Sequence, residues 1–233
     1  MSRAYAAFTE TGLALAETLA RALSGPVTRC GHGWPSLAEW TAAAFAQNEA
    51  LIFVGAVGIA VRAIAPLCRS KASDPAVVVV DECGHFAVPL LSGHLGGAND
   101  LARAIAALCG AVPVITTATD AHGLFAVDEW ARHQNCRVLE PERIKTVSGK
   151  LLAGEPVLFW SEFSIAGPAP AGVNAAPAPE AADFALTLSP AGNALQAPSR
   201  TLVLVATSLA TGAKRCWCAM LRALCLSSTP QIF

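Results

Sequence analysis

The sequence predicts an α/β fold: a layered domain with a largely parallel sheet flanked by helices, followed by a linker and a remnant of a second domain. Three observations carry this. Apolar runs with strand spacing alternate with runs of helical spacing from residue 3 to residue 160, the pattern of βα units. The 233 residues are 54% apolar and 14% charged, which supplies a sizeable core and excludes a disordered chain. The run AGPAPAGVNAAPAPEAA over 166–182 has linker composition. The expected domains are 1–160, a linker over 161–199 and a remnant over 200–233.

RAYAAF (3–8) reads as a strand, and LALAETLARAL (13–23) as a helix that Thr9 or Thr11 caps. SLAEWTAAAFAQ (36–47) is a second helix, with Ser36 as N-cap and Glu39 three residues on, the capping-box spacing. ALIFVG (50–55) is a buried strand and GIAVRAIAPL (58–67) a helix stopped by Pro66. AVVVVD (76–81) and FAVPLL (86–91) are strands of a hairpin, with Pro89 marking an edge or a bulge. Residues 96–110 form a helix closed by Gly110, and VPVITT (112–117) the next strand. Helices follow over 127–134 and 141–154, with VLFW (157–160) as the last strand of the domain. Asp128 and Glu129 suit the first turn of their helix.

Bulk properties narrow the function. Mean hydropathy is +0.48, yet the longest apolar run, 50–61, stops at Arg62 and is too short to span a bilayer. Glu10, Glu17 and Arg21 interrupt the N-terminal region, so no secretory signal is read and the cytoplasm is the expected compartment. A net charge of −1 gives no footprint for nucleic acid or an anionic membrane. The eight cysteines (30, 68, 83, 109, 136, 216, 218, 225) contain no CxxC pair; they read as buried, reduced thiols, with no metal site expected.

Three polar, glycine-bearing strand-to-helix junctions are the candidate chemistry. In SGHLGGAND (92–100), Ser92, Gly93, Gly96, Gly97 and Asn99 surround His94. This is either a tight turn, or a cradle whose first helical N–H groups hold a carboxylate or an oxyanion. No Lys-Ser/Thr ending or GxGxxG is present, which weakens a phosphate-transfer reading. TTATDAHG (116–123) supplies hydroxyls from Thr116, Thr117 and Thr119 and the Asp120 carboxylate, and VGAVGIAVR (54–62) adds Gly55, Gly58 and Arg62. Loops outside the carboxyl ends of strands line ligand crevices in open α/β sheets. Local turn hydrogen bonds, and a surface role for Arg62, are the alternatives. Asp81 and Glu82 end a strand, where a plain hairpin turn is expected, with His85 within pairing reach.

LIFVGAVGIAVRAIAPL, KASDPAVVVVDECGHFAVPLLSGHLGGANDLARAIA and AVPVITTATDAHGLFAVD run almost continuously from 51 to 128. Together they resemble the N-terminal region of the cobalamin-biosynthesis CbiG family, the cobalt-precorrin-5A hydrolases. The resemblance implies opening of the δ-lactone of a cobalt-corrinoid and release of acetaldehyde in anaerobic vitamin B12 synthesis. It implies no protein cofactor, since cobalt belongs to the substrate, and no partner beyond transient contact with other enzymes of that pathway. Within that reaction His94 is the expected general base, the amides of Gly96–Ala98 the expected oxyanion donors, and Asp120 the group that orients His94 or deprotonates the later alcohol. Gly55, Gly58, Arg62, Ser92, Gly93, Gly96, Gly97, Asn99, Thr116, Thr117 and Thr119 are expected at the carboxylate-rich substrate. RTLVLV (200–205) resembles the first strand of the family's C-terminal domain, but ATSLATGAKRCWCAM replaces the glycine- and cysteine-containing turn that follows. From Phe184 to Phe233 there is no Asp or Glu, so a truncated or frameshifted C-terminal domain is expected. The alternative function is a corrinoid-binding module without turnover; an anion-binding α/β domain is the third.

Overall fold

A computed structural model describes residues 1–31, 36–188, 201–206 and Trp217. The chain forms two compact units, Met1–Thr117 and Ala118–Phe233.

The first unit runs β1 (Arg3–Ala7), α1 (Glu10–Leu23), β2 (Val27–Arg29), α2 (Leu37–Gln47), β3 (Ala50–Val54), α3 (Val57–Ile64), β4 (Ala76–Val80), β5 (Phe86–Leu91), α4 (Ala98–Cys109) and β6 (Val112–Pro113). Its sheet has the order β2-β1-β3-β4-β5-β6. β2, β1, β3 and β4 are mutually parallel. β5 is antiparallel to β4, and β6 runs parallel to β5.

Side-chain alternation along the strands builds two cores, one on each face. Tyr5, Ile52 and Val78 pack with Leu19 of α1 and Leu101 and Ile105 of α4. Ala6, Phe53 and Val79 pack with Trp40 of α2 and Ala60 and Ile64 of α3. The central strands are therefore apolar at every position, as a sheet covered on both faces requires. The Tyr5 hydroxyl is buried with no hydrogen-bond partner among the described residues, and burial pushes its pKa up.

Local chemistry sets the ends of the helices. Thr9 Oγ1 accepts from the Gly12 N–H at 3.0 Å and caps α1. Ser36 and Glu39 form the expected capping box of α2. Gly110 closes α4 in the left-handed region at φ 77°. Pro89 sits at a bulge: Val77 faces Leu91 whereas Val78 faces Pro89, so Leu90 is the extra residue. The strand expected over 112–117 shortens to Val112–Pro113.

The second unit runs α5 (Ala118–Ala121), α6 (Val127–His133), β7 (Cys136–Val138), α7 (Ile144–Leu152), β8 (Val157–Ser161), β9 (Val173–Ala175), β10 (Phe184–Thr187) and β11 (Leu202–Ala206). Its sheet has the order β7-β11-β10-β8-β9, with only β7 antiparallel to its neighbour. Phe125, Trp130, Phe159, Phe184 and Trp217 form an aromatic cluster whose ring centroids lie 4.7–6.1 Å apart. Asp128 and Glu129 do occupy the first turn of α6.

This arrangement corrects the sequence reading in three places. The division falls after Thr117 and not at 160. The Ala/Pro-rich segment is not a bare linker, because β9 lies within it and pairs with β8. Residues 202–206 do not open a remnant domain; they form an inner strand between β7 and β10. The unusual residues after 206 lie outside the described residues, Trp217 excepted. Among the described residues no helix is long and apolar enough to cross a membrane.

Candidate functional site

The hairpin decides which junctions can share a site. β4 ends at Val80, which is paired with Ala87 near the start of β5, and β5 ends at Leu91 opposite Val77 near the start of β4. The carboxyl ends of β5 and β6 thus leave the sheet at the edge where β1, β3 and β4 begin. Ser92–Asn99, Thr116 and Thr117 lie at that edge, while Gly55, Gly58 and Arg62 lie at the other. The common site expected for all three junctions is not formed in this unit. The rule for strand ends holds strand by strand, but the reversal at residues 81–85 sends the ends of β5 and β6 the opposite way from those of β1, β2, β3 and β4.

At the first edge, the SGHLGG loop is wound on itself. The Gly97 N–H donates to the His94 carbonyl at 3.0 Å, the Ala98 N–H to the Ser92 carbonyl at 3.1 Å and the Asn99 N–H to the Gly93 carbonyl at 3.0 Å. The Gly97 and Ala98 amides expected to hold an oxyanion are therefore used in closing the turn. Space explains the glycines. A Cβ on Gly96 would lie 2.8 Å from the Ser92 carbonyl oxygen, and one on Gly93 would lie 2.8 Å from Asn99 Oδ1. Gly97, the α4 N-cap, has φ 85°. Ser92 is also turned inward: its hydroxyl donates to the Asp74 carbonyl at 2.9 Å, and its φ is 56°. Asp74, 8% exposed, accepts in turn from the Arg69 and Ser70 amides at 2.8 and 3.0 Å. Burial first, and the Asp74 charge second, push the nearby Cys68 thiol pKa up.

His94 stands half-buried in this loop. Asn99, 1% exposed, donates from Nδ2 to Thr117 Oγ1 at 3.0 Å and so ties the first turn of α4 to the loop after β6. Thr116 beside it is exposed. The edge thus combines an imidazole, an exposed hydroxyl and a buried amide–hydroxyl pair on a rigid turn. An imidazole and a hydroxyl held in this way have the chemistry to bind and deprotonate a small polar group. Thr119 and Asp120 belong to the second unit, on α5, where Thr119 is 4% exposed and its carbonyl accepts from the Leu124 N–H at 2.8 Å.

The opposite edge has a crevice of about 360 Å³ lined by Phe8, Thr9, Gly55, Ile59, Asp81 and Glu82. A Cβ on Gly55 would lie 2.7 Å from Phe8 Cδ2, so this glycine admits the ring. Glu82 accepts from the Thr9 hydroxyl at 2.6 Å. Two carboxylates repel an anionic ligand, so the clamp expected there has the wrong charge. Arg62 is exposed and donates to the Gly58 carbonyl at 3.3 Å, beside an apolar groove of about 470 Å³.

Sequence reasoning left Asp74 unremarked, and it took residues 81–85 for a plain hairpin turn. That turn is formed, yet Asp81, Cys83 and His85 also converge within it, their donor atoms all within 4.8 Å of one another. The D-x-C-x-H spacing in the sequence was the available signal. Cys83 and Cys68 are exposed, against the expectation of buried thiols, whereas Cys30 is buried.

A three-layer α/β unit with β1 and β3 adjacent and β2 outside them belongs to the class of open sheets that bind ligands beyond their strand ends. Residues 39–120 match the family described as Cobalamin synthesis G N-terminal, and residues 125–209 the Cobalamin biosynthesis central region. Through these two regions the chain belongs to the CbiG family. It is 51% identical over 118 residues to a cobalt-precorrin-5A hydrolase of Salmonella typhimurium, a match spanning 50% of this chain and 34% of that protein. It is 38% identical over 118 residues to a protein of the same name from Priestia megaterium, spanning 51% of this chain and 32% of that protein. The chain thus covers about a third of the length of these curated relatives. A crystal structure of a cobalamin biosynthesis protein G homologue from Sulfolobus solfataricus shares the fold, with a TM-score of 0.53 at 21% identity, over 87% of this chain and 60% of that one. The central region therefore spans 125–209 and takes in the Ala/Pro-rich stretch.

Proposed function

We propose that this chain carries the N-terminal and central regions of a cobalt-precorrin-5A hydrolase and acts on the lactone of that cobalt-corrinoid. The observation that carries the reading is the 51% identity to a protein of that name. His94 is the general base: it takes a proton from water, and the hydroxide adds to the lactone carbonyl. Collapse of the tetrahedral adduct breaks the ring C–O bond, leaving a carboxylate and an alcohol. Deprotonation of that alcohol, assigned to Asp120, releases acetaldehyde as the adjacent carbon–carbon bond breaks and its electron pair passes into the conjugated macrocycle. With the Gly97 and Ala98 amides occupied, the exposed Thr116 hydroxyl is the proposed donor to the carbonyl oxygen. Asn99 is a positioning residue acting through Thr117. Cobalt enters with the substrate, and the cytoplasm is the compartment in which such a biosynthetic step is expected.

The test is acetaldehyde release from anaerobically prepared cobalt-precorrin-5A by the purified chain. Release that falls by about 10²-fold or more in His94→Ala, and also falls in Asp120→Asn, supports the scheme. Turnover unchanged in His94→Ala removes that residue from it. A chain that retains the corrinoid without releasing acetaldehyde is a binding module.

A further inference from the structure

We propose that the hairpin turn Asp81–His85 is a binding site for a divalent transition-metal ion of the Zn²⁺ or Co²⁺ type, with Asp81, Cys83 and His85 as ligands.

The donor set is the first argument. A thiolate, an imidazole nitrogen and a carboxylate oxygen are the three side-chain donors such ions take, and hard cations of the Mg²⁺ or Ca²⁺ type do not select two of them. The donor atoms lie within 4.8 Å of one another. In a tetrahedral site with bonds near 2.1 Å, neighbouring donors stand about 3.4 Å apart. His85 Nδ1 and Asp81 Oδ1 are already 3.6 Å apart.

Rigidity is the second argument. Asp81 Oδ1 accepts from the Cys83 N–H at 3.0 Å and Oδ2 from the Phe86 N–H at 2.6 Å. The Gly84 N–H closes the turn on the Asp81 carbonyl at 2.9 Å, with Gly84 at φ 73°. The carboxylate is thus fixed by the backbone that carries the other two ligands. A carboxylate has about four lone-pair directions, so these two bonds leave acceptor capacity for an ion. The strands on either side hold the turn, and only side-chain rotations of His85 and Cys83 remain for binding. Both side chains are solvent-exposed, so an ion reaches them without opening the fold. Three protein ligands leave a fourth position for water or a ligand oxygen. Because Asp81 also lines the crevice at β1 and β3, the ion would stand at its rim and offset its acidic lining. The Cys83 thiol proton leaves to solvent on binding.

The test is a titration of the reduced, metal-free full chain with Co²⁺, read by the thiolate-to-cobalt charge-transfer band in the near ultraviolet. One equivalent of Co²⁺ develops the band, and Zn²⁺ abolishes it by displacement. Cys83→Ser removes the band, and His85→Ala weakens binding about tenfold or more. The Cys216→Ser/Cys218→Ser double variant keeps it. Zn²⁺ raises the Tm of the wild type but not of Cys83→Ser, whose Tm without metal matches that of the parent. Absence of the band, its persistence in Cys83→Ser, or its loss in the 216/218 variant overturns the assignment.

Discussion

Gly96→Ala separates the two roles a glycine can have in the SGHLGG loop, closing a turn or leaving room for a ligand. An alanine Cβ there would stand 2.4 Å from Ser92 Cβ and 2.8 Å from the Ser92 carbonyl oxygen, both well inside ordinary van der Waals contact. Neither partner is the far end of a flexible side chain. Ser92 is anchored through its hydroxyl to the Asp74 carbonyl and through its own carbonyl to the Ala98 N–H, so relief requires the backbone to move. Overpacking of this kind costs about 1–3 kcal/mol. At the middle of that range, about 2 kcal/mol, a chain of this length loses about 4–8 °C in Tm. Gly110→Ala is the control at the other end of α4. That glycine has φ 77° and open space around it, so the substitution costs about 1–2 kcal/mol from backbone conformation alone and leaves the loop untouched. Thermal unfolding and acetaldehyde release are measured on both variants. Gly96→Ala is expected to lose stability and turnover together, and Gly110→Ala stability alone. A Gly96→Ala chain with Tm within about 1 °C of the parent and no turnover would refute the reasoning, because the glycine would then serve the ligand and not the turn.

Asn99→Ala removes the bond to Thr117 from a site that is 1% exposed; a loss of about 1–3 kcal/mol in stability is expected by chemical denaturation. Turnover should fall mainly in kcat, and Asn99→Gln should not restore it, because its longer side chain displaces the amide. Glu162 accepts from the Leu188 amide first and the Thr187 hydroxyl second, and both hold its pKa below the usual carboxylate range. Its folded pKa lies below the unfolded one, so its contribution to stability is present above about pH 4.3 and fades as pH falls through the folded value. Stability profiles of the parent and Glu162→Gln should therefore converge in acid and separate above that range.

Features set by neighbours in sequence were legible, and features set by distant pairing were not. The Ser36/Glu39 box, the Thr9 cap, the Gly110 terminator and the hairpin at 81–85 each depend on a few consecutive residues, and each is formed. The hairpin was legible too, but its consequence was not followed: reversing β5 moves the SGHLGG loop away from Gly55 and Arg62. β9 escaped notice because a three-residue strand in Ala/Pro-rich sequence has little propensity of its own. It exists because β8 offers it a ladder. β11 looked like a beginning because nothing local says that its partners are β7 and β10. At the site, the residue types were readable. The internal bonding of the Gly97 and Ala98 amides was not, since a turn and an anion cradle share one glycine pattern.

The inner position of β11 has a consequence for how the chain is made. Every strand of the first sheet has been synthesised by Pro113, whereas the second sheet lacks an inner strand until Ala206. At about 5–20 residues per second, the interval is roughly 5–19 s on the ribosome. Within it, once β7 and then β10 (Phe184–Thr187) have been made, they have no strand between them until β11 follows, and the edges they later give to β11 stay open to other chains. The first unit can fold as it emerges; the second must wait for its last described strand, and a nascent chain halted before it leaves strand edges that invite aggregation.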